Sequence, residues 1–293
     1  MGIKGYKDSG VNDIMKPYEI MRHIRASYLQ VEPDEIPYDD SEMKRCVSYG
    51  DKYKTVESIA VAMESTPMAL KKAYSLGCDL FIAHHETFGF PDDTFEANRM
   101  DPRAITKKDI LDRSGMTVIR VHGTWDLKPV TGIFDTWIRL LGYHDCEWVP
   151  CVPVPKWEPW IREAVFMKMI MIPPIKLGDL AKHVAKVVAP YGQNGVLVTG
   201  DSERIIRKLG VGDGGITDPR SYYDTGCNAG IVTSMENFNC WANEVGIGLV
   251  YVDHVVSELQ GMKNLAQYLT DTLPHIKVHY IDNGCAYKVV IPD

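Results

Sequence analysis

A strand–helix–strand pattern between residues 56 and 83 constrains the fold most strongly. Val56–Met63 is apolar and rich in strand-forming residues, and Asp79–Ala83 is a second short apolar segment. Pro67–Leu76 lies between them and has the features of a helix, with proline at its start and Gly77 after its end. Two strands joined by a helical crossover form a βαβ unit, so this segment predicts a parallel pair of strands.

The same alternation continues along the chain. Further helices are predicted at Pro17–Leu29, Ala104–Ser114, Ile133–Leu141, Leu177–Val188 and Ser257–Leu273. Further strands are predicted at Thr117–Val121, Ala164–Ile172, Gly195–Val198, Ala229–Thr233, Gly246–Val252 and Ile276–Ile281. Alternating strands and helices favour an α/β fold in which helices cover largely parallel sheets.

A proline-rich segment separates the two halves of this pattern. Residues 143–164 contain Pro150, Pro153, Pro155 and Pro159 together with Trp148, Trp157 and Trp160. Because proline disrupts regular structure, we expect a connection here. Its tryptophans either pack the connection onto the body of the protein or form a subunit contact or a substrate wall. The predicted division is an N-terminal extension over 1–45 that packs on the first lobe, a first α/β lobe over 46–145, the connection over 146–163, and a second α/β lobe over 164–293.

Composition excludes several classes of protein. Apolar residues make up 45 % of the 293 residues, which excludes general disorder. The net charge of −7 disfavours general binding to nucleic acids or anionic membranes. No apolar run approaches the ~18 residues of a membrane span, and the N-terminus lacks a signal-peptide pattern. Seven cysteines without a CxxC pair indicate reduced thiols, so we expect a cytoplasmic protein.

Titratable residues directly follow three predicted strands. They are His84 and His85 after LFIA, His122 and Asp126 after TVIRV, and His254 and Glu258 after GLVYV. Ligands of open α/β sheets bind at the carboxyl ends of strands, so these residues could converge on one site.

The residue types are those of a metal site. Imidazole and carboxylate without cysteine suit zinc, iron, manganese or nickel. The five best candidates are too many for one zinc ion with an open position, but they suit two divalent ions that share a bridging carboxylate. These candidates are His84, His85, Asp126, His254 and Glu258. The alternative is that single histidines after strands are hydrogen-bonded loop residues, or that one member of the adjacent pair only supports the other.

A competing motif lies in the second half. Gly210, Gly212 and Gly215 match the GxGxxG dinucleotide fingerprint. That fingerprint must open a helix, whereas Pro219 follows soon after, so the alternative is a glycine-rich turn at a strand end that lines a pocket. The chain contains no HExxH, Walker A or GxSxG motif.

Taken in order, these motifs resemble the Nif-three-like family, whose members are also called type 2 homologues of GTP cyclohydrolase I. The resemblance spans Gly50 to Asp282. The motifs that support it are DLFIAHHE at 79–86, HGTWD at 122–126, GIFD at 132–135, the glycine-rich segment Val211–Gly215 and HVVSE at 254–258. Two departures are Glu86, where proline usually follows the double histidine, and Thr233-Ser234-Met235, where a TG-acid segment is usual.

The resemblance implies two similar α/β lobes with a dinuclear metal site in the cleft between them. Its ligands would be the five candidates above, with His122 as a nearby pocket residue. It also implies a homo-oligomer, specifically a toroidal homohexamer.

The function expected from these observations is metal-dependent, cyclohydrolase-like hydrolysis. The substrate would be a small cyclic amide, nucleotide or phosphoester, attacked by a metal-bound hydroxide, with His122 or Glu86 as the catalytic acid or base. The alternative is a non-catalytic metal-binding or regulatory assembly protein.

Overall fold

The computed structural model describes residues 15–37, 46–151, 165–212, 214–233 and 238–290. Helices lie at α1 Pro17–Leu29, α2 Pro67–Ser75, α3 Phe95–Asn98, α4 Pro102–Ser114, α5 Gly123–Asp126, α6 Ile133–Leu140, α7 Leu177–Val188, α8 Pro219–Asp224, α9 Phe238–Val245 and α10 His254–Thr272. Strands lie at β1 Val47–Tyr49, β2 Ser58–Ala62, β3 Leu80–Ala83, β4 Thr117–Arg120, β5 Trp148–Pro150, β6 Met167–Lys176, β7 Leu197–Thr199, β8 Ile205–Gly212, β9 Ala229–Val232, β10 Gly248–Tyr251 and β11 Lys277–Ile281. Within these ranges, no helix combines the length and the apolar character that crossing a membrane requires.

The strands form two sheets, which confirms the predicted α/β fold. The first sheet has the order β1-β4-β3-β2-β11, in which only the β1 edge strand is antiparallel to its neighbour. The second has the order β5-β6-β8-β9-β10-β7, with a parallel centre of β8, β9 and β10 and antiparallel strands on both sides. Each sheet therefore has a parallel core, whose strand ends can present side chains to a common site.

Helix α10 lies between the two sheets and joins them. Leu259, Met262 and Leu265 on its apolar face are at most 1 % exposed and belong to a core cluster that includes residues of both sheets. The indole Nε1 of Trp125 on α5 donates a 2.8 Å hydrogen bond to the carbonyl of Gly261 on α10. Burial of this face fixes the helix that follows β10 against the loops that follow β3 and β4.

The chain returns to the first sheet after α10. Strand β11 pairs in parallel with β2 along its full length, from Lys277 opposite Ser58 to Ile281 opposite Ala62. The last strand of the chain therefore lies in the same sheet as the βαβ unit at its beginning.

The expectation of no regular structure in the proline-rich segment is wrong at its beginning. Strand β5 ends at Pro150 and pairs with β6 in antiparallel register. Proline is tolerated there because β5 is an edge strand, so the missing N–H of proline does not remove a hydrogen bond from the centre of the sheet. Residues 152–164, including Trp157 and Trp160, lie outside the described residues.

Candidate metal centre

The loops after β3 and β4 and the start of α10 meet at one place. His84 and His85 directly follow β3, and Asp126 is the last residue of α5, which follows β4. His254 and Glu258 lie one turn apart on α10, so both side chains point the same way. The helix begins at His254, earlier than the predicted Ser257, because the carboxylate of Asp253 accepts the backbone N–H of Val256 as an N-cap.

The inner part of the site is formed by His84, Asp126 and Glu258. These side chains are 0 %, 3 % and 2 % exposed, respectively. His84 Nε2 lies 3.2 Å from Asp126 Oδ1 and 3.8 Å from Glu258 Oε2. One nitrogen and two carboxylate oxygens therefore face each other without access to solvent.

The outer part shares Glu258. Its Oε2 lies 3.5 Å from His85 Nε2, and its Oε1 lies 3.3 Å from His254 Nε2. His85 and His254 are only half-buried, so this side of the site opens outward. The two parts thus form two groups of three potential ligand atoms, each compact enough for one ion, with Glu258 in both. His122 forms a third such group with His84 and His85.

Several buried polar atoms at this centre make no hydrogen bond within the described structure. They are His84 Nε2, both carboxylate oxygens of Asp126, and Glu258 Oε2. Burying such atoms without a partner costs about 1–3 kcal/mol each, and more when they are charged. Neutral imidazole and carboxylate are also the donors that divalent transition metals accept. The residues present therefore fit metal ions at this position.

Electrostatics keep the two buried carboxyl groups ionised. Burial opposes ionisation of Asp126, but electrostatic attraction to the neighbouring His84 and His122 holds its pKa below the usual value. Burial likewise opposes ionisation of Glu258, whereas the hydrogen bond and charge of His254 lower its pKa. Two ionised carboxylates packed side by side without solvent are a strong site for cations.

The ring orientation of both adjacent histidines is set by the nitrogen that faces away from the centre. His84 Nδ1 donates to the carbonyl of Val121 at 2.9 Å. His85 Nδ1 lies 2.6 Å from Glu64 Oε1, and the Glu64 backbone is itself held by Asn283, whose side chain accepts from its N–H at 2.8 Å and donates to its carbonyl at 3.2 Å. Each Nε2 is thereby left free to bind a metal.

The catalytic candidates His122 and Glu86 occupy different positions. The His122 ring stacks on His84 with centroids 4.4 Å apart, and its Nδ1 lies 3.2 Å from Asp126 Oδ2. Glu86 lies 3.0 Å from the guanidinium of Arg120. Burial opposes ionisation of Glu86, but the charge of Arg120 keeps its pKa below the usual value.

A cavity of about 1040 Å³ opens onto the centre. Its wall contains ligand candidates from both parts of the site, both catalytic candidates and the loop that follows the double histidine, residues 85–94. The volume suits a small molecule rather than a polymer segment.

The GxGxxG segment serves packing around this centre. No helix opens at Gly215, where a short 3₁₀ turn over Gly214–Ile216 follows β8. A Cβ at Gly210 would lie 2.4 Å from the ring of Tyr222, and one at Gly214 would lie 2.1 Å from Glu258 Oε1. Gly210 and Gly212 are therefore explained by the close approach of Tyr222, and Gly214 by that of Glu258, without a dinucleotide.

Comparison with known proteins agrees with this architecture. Residues 44–284 match the family model described as Duf34/NIF3 (NGG1p interacting factor 3). The chain belongs to the Duf34/NIF3 family. This confirms the resemblance inferred from the sequence motifs, since the matched range includes all of them. A Clostridium perfringens protein named GTP cyclohydrolase 1 type 2 homolog is 22 % identical over 214 residues, which cover 71 % of this chain and 76 % of that protein.

Solved structures of the Duf34/NIF3 type share the fold. A Bacillus cereus protein related to NIF3 superposes with a TM-score of 0.73 at 14 % identity, over 95 % of this chain and 100 % of that one. The Staphylococcus aureus protein SA1388 superposes with a TM-score of 0.70 at 14 % identity, over the same shares of the two chains. At these identities the likeness shows the architecture alone.

Proposed function

We propose that this protein holds two divalent transition metal ions and hydrolyses a small substrate in the adjoining cavity. The observation that carries the proposal is the set of buried, unpartnered nitrogen and oxygen atoms on His84, Asp126 and Glu258. His84, His85, Asp126, His254 and Glu258 would hold the ions, and Glu258 lies within reach of both groups of ligand atoms. When bound, such ions polarise a substrate and lower the pKa of a coordinated water towards neutrality.

The chain's own residues supply proton transfer. His122 lines the cavity and contacts Asp126 through Nδ1, which keeps its ring in a fixed orientation beside the centre. Its imidazole has a ring nitrogen that can donate or accept a proton, as a general acid or base must. Glu86 lines the same cavity, and its carboxylate, which pairs with Arg120, would be the second proton acceptor.

Three substrate classes fit the site: a cyclic amide, a nucleotide or a phosphoester. Each presents an electrophilic carbon or phosphorus with an oxygen or nitrogen that a divalent cation can polarise. The cavity is large enough for any of them. The name of the Clostridium perfringens relative, GTP cyclohydrolase 1 type 2 homolog, lies within this range.

A screen of these substrate classes with metal-loaded protein tests the proposal. We expect turnover that disappears in Asp126→Asn, because this variant removes a buried anionic ligand while keeping the shape of the side chain. Asp109→Asn is the matched control, since Asp109 is exposed and pairs with Arg113 on its own helix. Turnover that survives in Asp126→Asn at the wild-type rate would contradict the proposed mechanism.

A second candidate function is metal binding without catalysis, in a regulatory assembly. The observation in its favour is an apolar surface on the edge of the second sheet, where Trp148 and Val149 are 49 % and 44 % exposed. A metal-loaded protein that turns over none of the three substrate classes would favour this function.

We further propose a homohexamer in the cytoplasm. The oligomer is supported by the family, and the compartment by the seven cysteines, none of which forms a disulfide. Light scattering coupled to size-exclusion chromatography tests the assembly, and a mass of about 33 kDa would contradict it.

A further inference from the structure

Three cationic side chains line the cavity, and two of them are paired with carboxylates. Arg103 Nη2 lies 2.7 Å from Asp101 Oδ2, and Arg120 Nη2 lies 3.0 Å from Glu86 Oε1. The third cation is Lys107 on α4, which makes no ion pair within the described structure. Its Nζ donates to the carbonyl oxygen of Thr87, a neutral acceptor.

The acidic groups nearest to Lys107 are already engaged elsewhere. Glu64 and Asp93 act on it electrostatically without contact. The Glu64 carboxylate is hydrogen-bonded to His85 at 2.6 Å. One oxygen of Asp93 accepts the backbone N–H of Phe88 at 2.6 Å, and the other accepts a serine hydroxyl at 2.5 Å. Within the described structure, neither carboxylate forms an ion pair with the ammonium group.

The ammonium group is also partly withdrawn from water. Lys107 is half-buried, and burial lowers its pKa below the usual value. A cation withdrawn from water without an opposite charge is costly, and an anion at the same place offsets that cost. The geometry therefore leaves a position for an anion beside Nζ.

This position belongs to the same cavity as the metal centre. Thr87, whose carbonyl accepts the hydrogen bond from Lys107, lies three residues after His84. Glu64, which acts electrostatically on Lys107, contacts His85. A substrate held at the centre and extending along residues 85–94 reaches the ammonium group within one continuous cavity.

We propose that Lys107 binds a phosphate group of the substrate, so that the substrate class is a phosphorylated small molecule. The inference rests on the proposed function, because it assigns one end of the substrate that the metal centre would act on. Lysine binds phosphate as a point charge, and phosphate offers several oxygens and up to two negative charges, enough to face both the ammonium group and a cationic centre. The specificity determinant is the charge of Lys107 and not its hydrogen bond to Thr87.

Calorimetry with inorganic phosphate tests the assignment in the full-length, metal-loaded protein. We expect Lys107→Met to weaken phosphate binding by about tenfold or more, the effect of losing one charged hydrogen bond. Lys107→Arg is expected to keep most of the affinity, because it keeps the charge. Lys108→Met is the matched control, since Lys108 is the next residue of α4 and pairs with Asp112 outside the cavity.

Several results would overturn the assignment. Equal phosphate affinity in Lys107→Met and Lys108→Met would show that phosphate contacts only the metals. If Lys107→Arg loses as much phosphate affinity as Lys107→Met, the role of Lys107 would be to hold the loop through its hydrogen bond to Thr87. If acetate binding depends on Lys107 as strongly as phosphate binding does, the group that Lys107 binds would be assigned as a carboxylate and not as a phosphate.

The same titration separates this inference from the proposed function. Metal analysis of the same samples decides whether the centre binds ions. If it binds none, the proposed function fails, and the metal-free protein still decides the role of Lys107. If the metal-free protein binds phosphate and Lys107→Met weakens that binding, the inference is supported. If the metal-free protein binds no phosphate, or binds it equally well in Lys107→Met, the inference is overturned.

Discussion

At the scale of single residues, the centre depends on groups that orient the ligands as much as on the ligands themselves. His85 is oriented by Glu64, which in turn is held by the side chain of Asn283 from the other end of the chain. A carboxylate that accepts the second ring N–H fixes the tautomer of a metal-binding histidine and raises its basicity.

The role of Glu64 leads to a prediction about metal affinity. We expect Glu64→Gln to weaken metal binding at the outer part of the site by about tenfold to a hundredfold, the usual effect of losing such a partner. Competition with a chromophoric chelator measures this affinity. The control is Glu57→Gln, an exposed residue whose side chain lies outside the cavity. If the two variants bind metal equally well, Glu64 does not orient a ligand.

The sequence indicated the candidate ligands but not the residues that orient them. His84, His85, Asp126, His254 and Glu258 all lie within seven residues after the end of an apolar strand, so the pattern is local. Glu64 lies 21 residues before His85, and Asn283 lies 219 residues after Glu64. No spacing within the sequence connects residues that only the folded chain brings together.

At the scale of elements, the N-terminal helix is docked through a buried histidine. His23 on α1 makes a 2.8 Å hydrogen bond from Nε2 to Thr272 Oγ1 and stacks on Tyr268, both on α10. Burial lowers the pKa of His23 to about 4, from the ordinary 6.5. The folded protein therefore binds fewer protons than the unfolded chain between these two pH values.

This difference in proton binding predicts a loss of stability in acid. The contribution of buried, neutral His23 to the unfolding free energy is complete above about pH 6.5. It falls as the pH drops below that value and is lost by about pH 4. Between pH 7.5 and pH 5 we expect His23 to account for about 2 kcal/mol of the decrease in unfolding free energy. Urea unfolding at the two pH values should therefore show a smaller decrease for His23→Gln than for the wild type. His144→Gln, at a more exposed site, is the control. Equal decreases in all three proteins would contradict this account.

Element prediction succeeded where local signals were strong. Helix α1 and helix α7 have the predicted bounds, since each combines helical apolar spacing with clear ends. The sequence indicated only the glycine-rich end of strand β8. The rest was not predicted, because Arg207 and Lys208 interrupt its apolar pattern and its burial comes from β6 and β9 on either side. Strand β5 was not predicted because the prolines of this segment indicate irregular structure, although an edge strand tolerates proline.

At the scale of the whole molecule, the centre exists because the chain connects two sheets through one buried helix. Helix α10 follows β10 of the second sheet, packs on β2 of the first, and leads to β11 beside it. The sequence predicted the alternation of elements but not this return, since strand order depends on contacts between distant segments. The division into lobes at residues 145 and 164 remains a prediction.

The most direct test of the central claim is the metal content of protein purified without chelators. Inductively coupled plasma mass spectrometry combined with anomalous diffraction at the metal edges gives both the number and the positions of the ions. We expect two divalent transition metal ions per chain, one beside His84 and Asp126 and one beside His85 and His254, with Glu258 contacting both. A protein that contains no metal, and takes up none on titration with zinc, iron, manganese or nickel, would contradict the account.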